Sequence, residues 1–477
     1  MSTNASTQSA RPIFLLALIG VCAALGLPGA EALSIVPIGD PEPRSNFGAP
    51  LEDEDVILHG VGQKRELSMA NYSGAMPADL QPLIWMHYFK LHPELTAQHA
   101  REFVARQALT LRRYPGEKRL QVSLSFDGHR TGFSGKQYTG IGEQADEGYY
   151  DEIVEALAES LGELQTPVYV RIGYEFNGHW NVYNPGQYQR VFRRYAALMR
   201  KHLGEHVATL WCAHPISPLS RLMEFYPGDE WVDWWSIDLF SSQFLKSPNT
   251  DDFILEAARR QKPVYIAEST PEGVGVHDQA QWEAWMHLYF NIMYRHPNVK
   301  AFHFIHRNWG AWSWSDWGDS RLAFAPDAMA VWQRELRRPI FRHAREGGSS
   351  KTDPLAAYRG LVDRAGQRQI HLQPGVPVEL DFGPNPPGAP WNELYLAIEM
   401  SPGEGEASVT LHLEERLLGE FRIPHGMDLR LYDLAFESTL AEGQPLHITV
   451  TSDHPCQIDG PAAGPDGIAP QLIASGP

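Results

Sequence analysis

The chain has 477 residues, with 40 Lys and Arg against 58 Asp and Glu, and a formal net charge of -18. That length is too great for one ordinary core and predicts two or three domains, with a larger one of barrel size allowed. The acidic balance, with no lysine-rich block to neutralise phosphates, excludes nucleic acid as a partner.

Residues 13–27, IFLLALIGVCAALGL, form an apolar segment after Arg11, too short for a comfortable membrane span and followed by small residues. The expectation is a signal peptide over 1–32, cleaved after Ala32 by the small-x-small pattern of Ala30 and Ala32, with an uncleaved N-terminal anchor as the alternative. Both predict an exported protein, secreted or periplasmic, and cleavage would leave no membrane span. Cys22 would leave with the signal. Cys212 and Cys456 lie far apart in different predicted domains, so no disulfide is expected and stability must come from burial. Residues 33–54, rich in Pro, Asp and Glu, read as an extended lead-in.

Strand-like runs then recur: DVILHG (55–60), LIWMHYF (83–89), LQVSLSFDG (120–128), PVYVRIGYE (167–175), ATLWCAH (208–214), VDWWSIDLF (232–240), PVYIAEST (263–270) and VKAFHFIHRN (299–308). Between most of them lie stretches with apolar residues at three- and four-residue spacing, and Pro185 stands where a first helical turn tolerates proline. Strands alternating with helices in this number predict a (β/α)8 barrel over 55–342, with functional groups at the C-terminal ends of the strands. Those ends are polar: His59, His87, Asp127, Glu175, His214, Asp238, Glu268 and His306. An open doubly wound sheet shares the alternation but calls for a Gly-rich phosphate loop after the first strand, which is missing. Residues 343–354 read as a linker. Residues 355–460 alternate apolar and polar residues between Gly/Pro turns, as in an antiparallel β-sandwich that either binds glycan or covers one side of the barrel. Residues 461–477 read as a flexible tail.

Within PVYVRIGYE, alternation puts Tyr169, Arg171, Gly173 and Glu175 on one side of the strand. Glu268 ends another strand three places round the barrel, so the two carboxylates are expected to face each other across its mouth. One protonated and one ionised carboxyl group are what glycoside hydrolysis needs, an acid for the departing oxygen and a nucleophile or base for the anomeric carbon. Arg171 would hold one ionised while burial raises the pKa of the other. Exposed glutamates at strand ends are also common, and the pair alone leaves that reading open.

RIGYEFNGHW resembles the motif of glycoside hydrolase family 26, a retaining (β/α)8 family in which Arg, three residues, the acid/base Glu, then Asn or Thr, Gly and Trp follow strand four. Arg171, Glu175, Asn177, Gly178 and Trp180 match it. The resemblance implies Glu175 as acid/base and Glu268 as nucleophile. It further implies that Asp238 is the acidic group ending strand six, and that Arg307 and Asn308 are an Arg-Asn pair after strand eight. Three positions depart from the family. Tyr174 stands where His commonly precedes the acid/base, Phe240 where a Tyr touches the nucleophile, and His306 where a Trp stacks on the sugar. They predict either a different sugar at the cleavage point or a divergent relative of the clan.

NWGAWSWSDWGDSR places Trp309, Trp312, Trp314 and Trp317 in one loop, a poor place to hide four indoles and a natural source of flat faces for sugar rings. Trp180 and Tyr183 are expected on the opposite wall. Of the adjacent Trp234 and Trp235, one should face in and one out, the inner one as core. Strand-end histidines invite a metal-dependent hydrolase as a rival. The spacing opposes it: no His-Glu-x-x-His occurs, and HFIH puts His303 and His306 on opposite faces. A third class is a carbohydrate-binding barrel that has lost catalysis. The reading carried forward is a monomeric retaining endo-β-glycanase, mannanase-like or acting on another β-glycan, whose partner is a polysaccharide or oligosaccharide. It needs no cofactor and no metal. Its sugar-binding set is Arg171, Tyr174, Asn177, Trp180, Asp238, Phe240, His306, Arg307, Asn308, Trp309, Trp312 and His87.

Overall fold

The computed structural model describes residues 35–345 except 63–65, 114–115, 127–128, 133–135, 276–277, 308, 310–314 and 323–324. Beyond these it describes 369–384, 391–400, 407–413, 416–423, 430–435, 445–453, 456–459 and 472–474. The expected signal peptide lies outside the described residues.

Eight parallel strands close on themselves: β1 (Ile57–Gly62), β2 (Ile84–Lys90), β3 (Arg119–Ser125), β4 (Val168–Ile172), β5 (Val207–Ala213), β6 (Trp234–Leu239), β7 (Val264–Ser269) and β8 (Val299–Ile305), with β8 pairing back to β1. The strands are buried on both faces, as a parallel sheet wrapped in helices requires, except that Tyr88 and Lys90 at the end of β2 are partly exposed. The longer helices among the described residues are α1 (Glu66–Ala75), α2 (Ala97–Arg113), α3 (Asp151–Glu163), α4 (Pro185–Leu203), α5 (Pro248–Arg259), α6 (Gln279–Arg295) and α7 (Pro326–Leu336). Local chemistry sets their starts. Asn184 caps α4 by accepting from the Gly186 and Gln187 amides with Pro185 in the first turn, and Ser247 and Pro248 do the same for α5.

Alternation along the strands sorts side chains into two cores. Leu58, Ile84, Tyr169, Leu210, Trp234 and Tyr265 fill the barrel interior, whereas Trp85, Val170, Trp211, Trp235 and Ile266 face the helices. The outward face of a barrel strand is therefore also core, and Trp234 and Trp235 are both completely buried. The interior aromatics carry polar tips that must be satisfied, and the lead-in does so. The Tyr169 hydroxyl donates to the Leu51 carbonyl and the Trp234 indole to that of Pro50. Arg44 fixes the same segment to the carbonyls of Met293, Tyr294 and His296. The lead-in is thus docked on the barrel. Residues 343–345, expected in the linker, belong to the barrel too: His343 bonds His59, and the Ala344 amide donates to Gln81.

The C-terminal strands are antiparallel and form two sheets. One has four strands, ordered Val378–Pro384, Pro445–Ser452, Ala407–Leu413 and Arg416–Ile423; the other is built around Trp391–Met400. Val409, Leu411, Leu413, Ile448 and Val450 bury one face of the four-stranded sheet. Within the expected tail, Leu472–Ala474 pairs as a strand with Trp391–Met400.

Candidate active site

The C-terminal ends of β2, β4, β6 and β7 bring four side chains together around one guanidinium. Arg171 is fully buried. Its Nη1 donates to both oxygens of Asp238 at 2.9 Å, its Nη2 to Oε1 of Glu268, and its Nε to Ser123 Oγ at 3.1 Å. One planar fork thus binds two carboxylates from neighbouring strands, an arrangement that a lysine could not reproduce.

Glu268 reaches this position through a break in the β7 pairing. Ile237 pairs with Ile266 but Asp238 pairs with Glu268, so β7 carries one extra residue. Tyr265 and Ala267 lie in the barrel interior, and Ser269 turns outward to bond Tyr289 on α6. Strict alternation would send Glu268 outward with Ile266. The bulge turns it inward, the re-aiming that such irregularities produce beside functional sites.

Glu175 is placed differently from what strand alternation predicts. Pairing in β4 ends at Ile172, and Gly173 (φ 60°) and Glu175 (φ 46°) both adopt the left-handed conformation. Glycine is at home there, while a glutamate is strained. A Cβ at Gly173 would also meet Tyr188 at 2.6 Å. Asn181 holds the turn by donating to the carbonyls of Tyr174 (3.0 Å) and Glu175 (3.1 Å), and the Gly178 amide donates to Glu175 O at 2.8 Å. The Glu175 carboxylate then receives the Trp180 indole N–H at 2.8 Å. Gly178 makes that approach feasible, since a Cβ there would lie 2.4 Å from the Trp180 ring.

The two glutamates differ in electrostatic surroundings. Burial, and next the charge of Glu268, push the Glu175 carboxyl up to about 7, against the opposing pull of the Trp180 N–H, Arg171 and Lys90. Glu268 is held in direct contact with the Arg171 cation. One carboxyl group poised to carry a proton near neutrality beside one fixed on a cation is the separation of roles that acid–nucleophile chemistry requires.

Tyr88, from β2, donates its hydroxyl to Glu268 Oε1 at 2.5 Å. Its ring lies 5.4 Å from that of Tyr174, edge to face, and Tyr174 covers the Arg171 guanidinium at 4.4 Å. Burial, and next the Glu268 charge, push the Tyr88 hydroxyl well up, so it remains a donor. Phe240 lacks a hydroxyl, and a different strand supplies one to the carboxylate. The expectation had fallen on His87. Alternation puts His87 on the side of Trp85 and Phe89, whereas Tyr88 packs against the interior cluster. Anchoring the phase of β2 on those two apolar residues was the signal that would have found Tyr88.

Several expected sugar contacts have other places. Asn177 donates to His214 O (2.8 Å) and Ser217 Oγ (3.0 Å) and accepts from the His214 amide (2.8 Å), so its amide ties the β4 loop to the β5 loop. His306 is 0 % exposed and sits edge-on to Tyr72. His87 is also buried. Trp309 and Phe240 are buried in one small cluster with Ile305, packed against a half-buried Trp317. The Arg307 guanidinium lies 5.0 Å over the Trp309 ring. Tyr183 packs on Phe126 and accepts its amide. Trp180, 42 % exposed, offers an open indole beside the carboxylates and touches His214 at 5.2 Å. Asp127, Asn308, Trp312 and Trp314 lie outside the described residues. The histidines are dispersed: His59 bonds His343 and Tyr72, and His303 stacks on Tyr265. Among the described residues no three His, Cys, Asp or Glu are grouped to hold a metal ion. Likewise, among them no helix is long and apolar enough to cross a membrane.

Residues 128–291 match the family description "Glycosyl hydrolase family 26". A beta-1,3-xylanase of an Alcaligenes species is 28% identical over 224 residues, which are 41% of this chain and 48% of that protein. The beta-1,3-xylanase TXYA of a Vibrio species is 28% identical over 229 residues, 42% of this chain and 50% of that protein. The chain thus spans about half the length of the curated relatives it matches. Among solved structures, a GH26 beta-mannanase from Bacteroides ovatus aligns with 63% of this chain and 90% of its own, at 16% identity and a TM-score of 0.43. The span similar to glycosyl hydrolase family 26 contains Arg171, Glu175, Asp238 and Glu268, the residues that the barrel gathers at one end.

Proposed function

We propose that this protein is a glycoside hydrolase that cleaves a β-linked polysaccharide internally by double displacement with net retention. Glu268 attacks the anomeric carbon while Glu175 protonates the leaving oxygen. Glu175 then takes a proton from the water that releases the sugar from Glu268. The observation that carries this reading is the pairing of Glu268, turned inward by a bulge onto Arg171, with Glu175, whose carboxyl group is poised at about 7. Arg171 and Asp238 orient the nucleophile, and Trp180 serves both the acid/base and an adjoining sugar ring. The names of the two relatives make β-1,3-xylan the first substrate to test. Export is part of the proposal and rests on the apolar segment 13–27. So is the packing of the two C-terminal sheets as a sandwich, which the buried face of the four-stranded sheet supports.

The test is a panel of β-1,3-xylan, β-1,4-xylan, β-1,4-mannan and β-1,3-glucan assayed for reducing ends, with product stereochemistry followed by NMR. Release of β-anomeric product from one of them is expected; initial release of the α-anomer overturns the retaining mechanism. The pH profile checks the acid. Because Glu175 must be protonated to start the reaction, kcat/KM should fall as pH rises through about 7. In Trp180→Phe the carboxylate loses an N–H that favours its charged form, so this alkaline limb should move to higher pH. A limb that stays in place removes Trp180 from the tuning of Glu175.

A further inference from the structure

The two oxygens of Glu268 are not equivalent. Among the described residues Oε1 receives two donors, Arg171 Nη2 and the Tyr88 hydroxyl, the latter at 2.5 Å. The Tyr88 ring is fixed in turn by the edge of Tyr174 at 5.4 Å and by the Arg171 guanidinium, 5.6 Å from its centroid. With its lone pairs directed at two donors, Oε1 is a poor nucleophile, and Oε2 is the oxygen left to attack.

Resting on the hydrolase reading above, we infer that Glu268 attacks through Oε2 and that Tyr88 is a positioning residue whose hydroxyl on Oε1 speeds release of the sugar from the enzyme. In the first step an Oε2 lone pair forms the bond to the anomeric carbon. The glycosidic C–O bond breaks, and its electrons go to the leaving oxygen, which takes the Glu175 proton. Glu268 is then an ester, with Oε1 as its carbonyl oxygen. In the second step Glu175 removes a proton from water, the water oxygen bonds to the anomeric carbon, and the Oε2–carbon bond breaks with its electrons returning to the carboxylate.

A hydrogen bond to Oε1 is stronger when the group is charged than when it is an ester. In the first step negative charge leaves the carboxylate, so the Tyr88 bond weakens on the way to the transition state and does not accelerate attack. In the second step charge returns, the bond strengthens, and the transition state is favoured over the intermediate. The contribution of Tyr88 is therefore concentrated in release.

The experiment compares full-length wild type and Tyr88→Phe on a dinitrophenyl β-1,3-xylobioside, with mass spectrometry of the enzyme in steady state. Tyr88→Phe should lower kcat and KM together by about 10- to 100-fold and leave kcat/KM within about threefold, with most of the enzyme present as the glycosyl ester. A loss confined to packing would lower kcat/KM and accumulate nothing, and that result overturns the assignment, as does a wild-type kcat. A second measurement does not depend on the folding of the variant. Wild type labelled with a 2-deoxy-2-fluoro β-xylobiosyl fluoride should show an ester through Oε2 with Tyr88 still on Oε1, and an ester through Oε1 overturns the inference. Absence of any label on Glu268 in wild type would overturn the hydrolase reading itself, which separates that failure from a failure of the Tyr88 assignment alone.

Discussion

Glu268→Ala should lower kcat by about four to six orders of magnitude while the protein stays folded. The fold should survive because Arg171 keeps its two contacts to Asp238, so no buried cation is left without a partner. Azide supplies the discriminating readout. In Glu268→Ala it can occupy the space of the lost carboxylate and attack an activated β-glycoside directly, giving the α-glycosyl azide. In Glu175→Ala the ester on Glu268 still forms and azide attacks it, giving the β-glycosyl azide. Opposite anomers from the two variants assign the two roles; the same anomer from both, or a Glu268→Ala enzyme within tenfold of wild type, would end the assignment.

Arg171→Met should be the most damaging single change in the barrel. It removes a fully buried cation from between Asp238 and Glu268 and leaves two carboxylates in an interior that also holds Cys212 and Tyr88. Removing one partner of a buried ion pair costs about 3–5 kcal/mol, which for a domain of this size lowers Tm by about 10 °C. Turnover should be lost as well, since nothing else among the described contacts connects the strand-six and strand-seven carboxylates. Arg171→Lys retains the charge but not the fork, and one ammonium cannot hold both carboxylates in the same plane, so it should recover stability in part and activity little. Calorimetry at pH 7 with kcat measured in parallel checks both, and an Arg171→Met protein melting within 2–3 °C of wild type would show that the carboxylates are satisfied in another way.

Both predictions depend on atoms placed by backbone irregularities, and those mark the limit of what periodicity can convey. The phase of β4 from Val168 to Ile172 could be read directly: Tyr169 and Arg171 share one side of the strand, and the closed barrel makes that side its interior. It did not extend to Glu175, whose direction comes from two left-handed residues after the last paired one. For Glu268 the period points the wrong way, because one extra residue in β7 reverses the side on which it emerges. His87 and Tyr88 differ by a single position, and in a strand buried on both faces a polar residue does not announce which face it occupies. Trp309 was read as a surface for sugar because loops usually lie in water, yet Phe240 and Ile305 from two strand ends make an apolar seat for it.

What the sequence by itself determined is the part carried by local repetition: alternating strands and helices, helix starts marked by Asn184-Pro185 and Ser247-Pro248, an antiparallel C-terminal region, and a short motif placing Arg171 and Glu175 at a strand end. Only the tertiary structure decided which groups meet there. The docking of the lead-in on interior aromatics, the fork of Arg171 between Asp238 and Glu268, and the hydroxyl of Tyr88 on Glu268 join positions separated by 67 to 184 residues. Contacts of that kind depend on strand register and on single-residue bulges summed around a closed barrel, and no window of sequence shorter than the barrel contains that information.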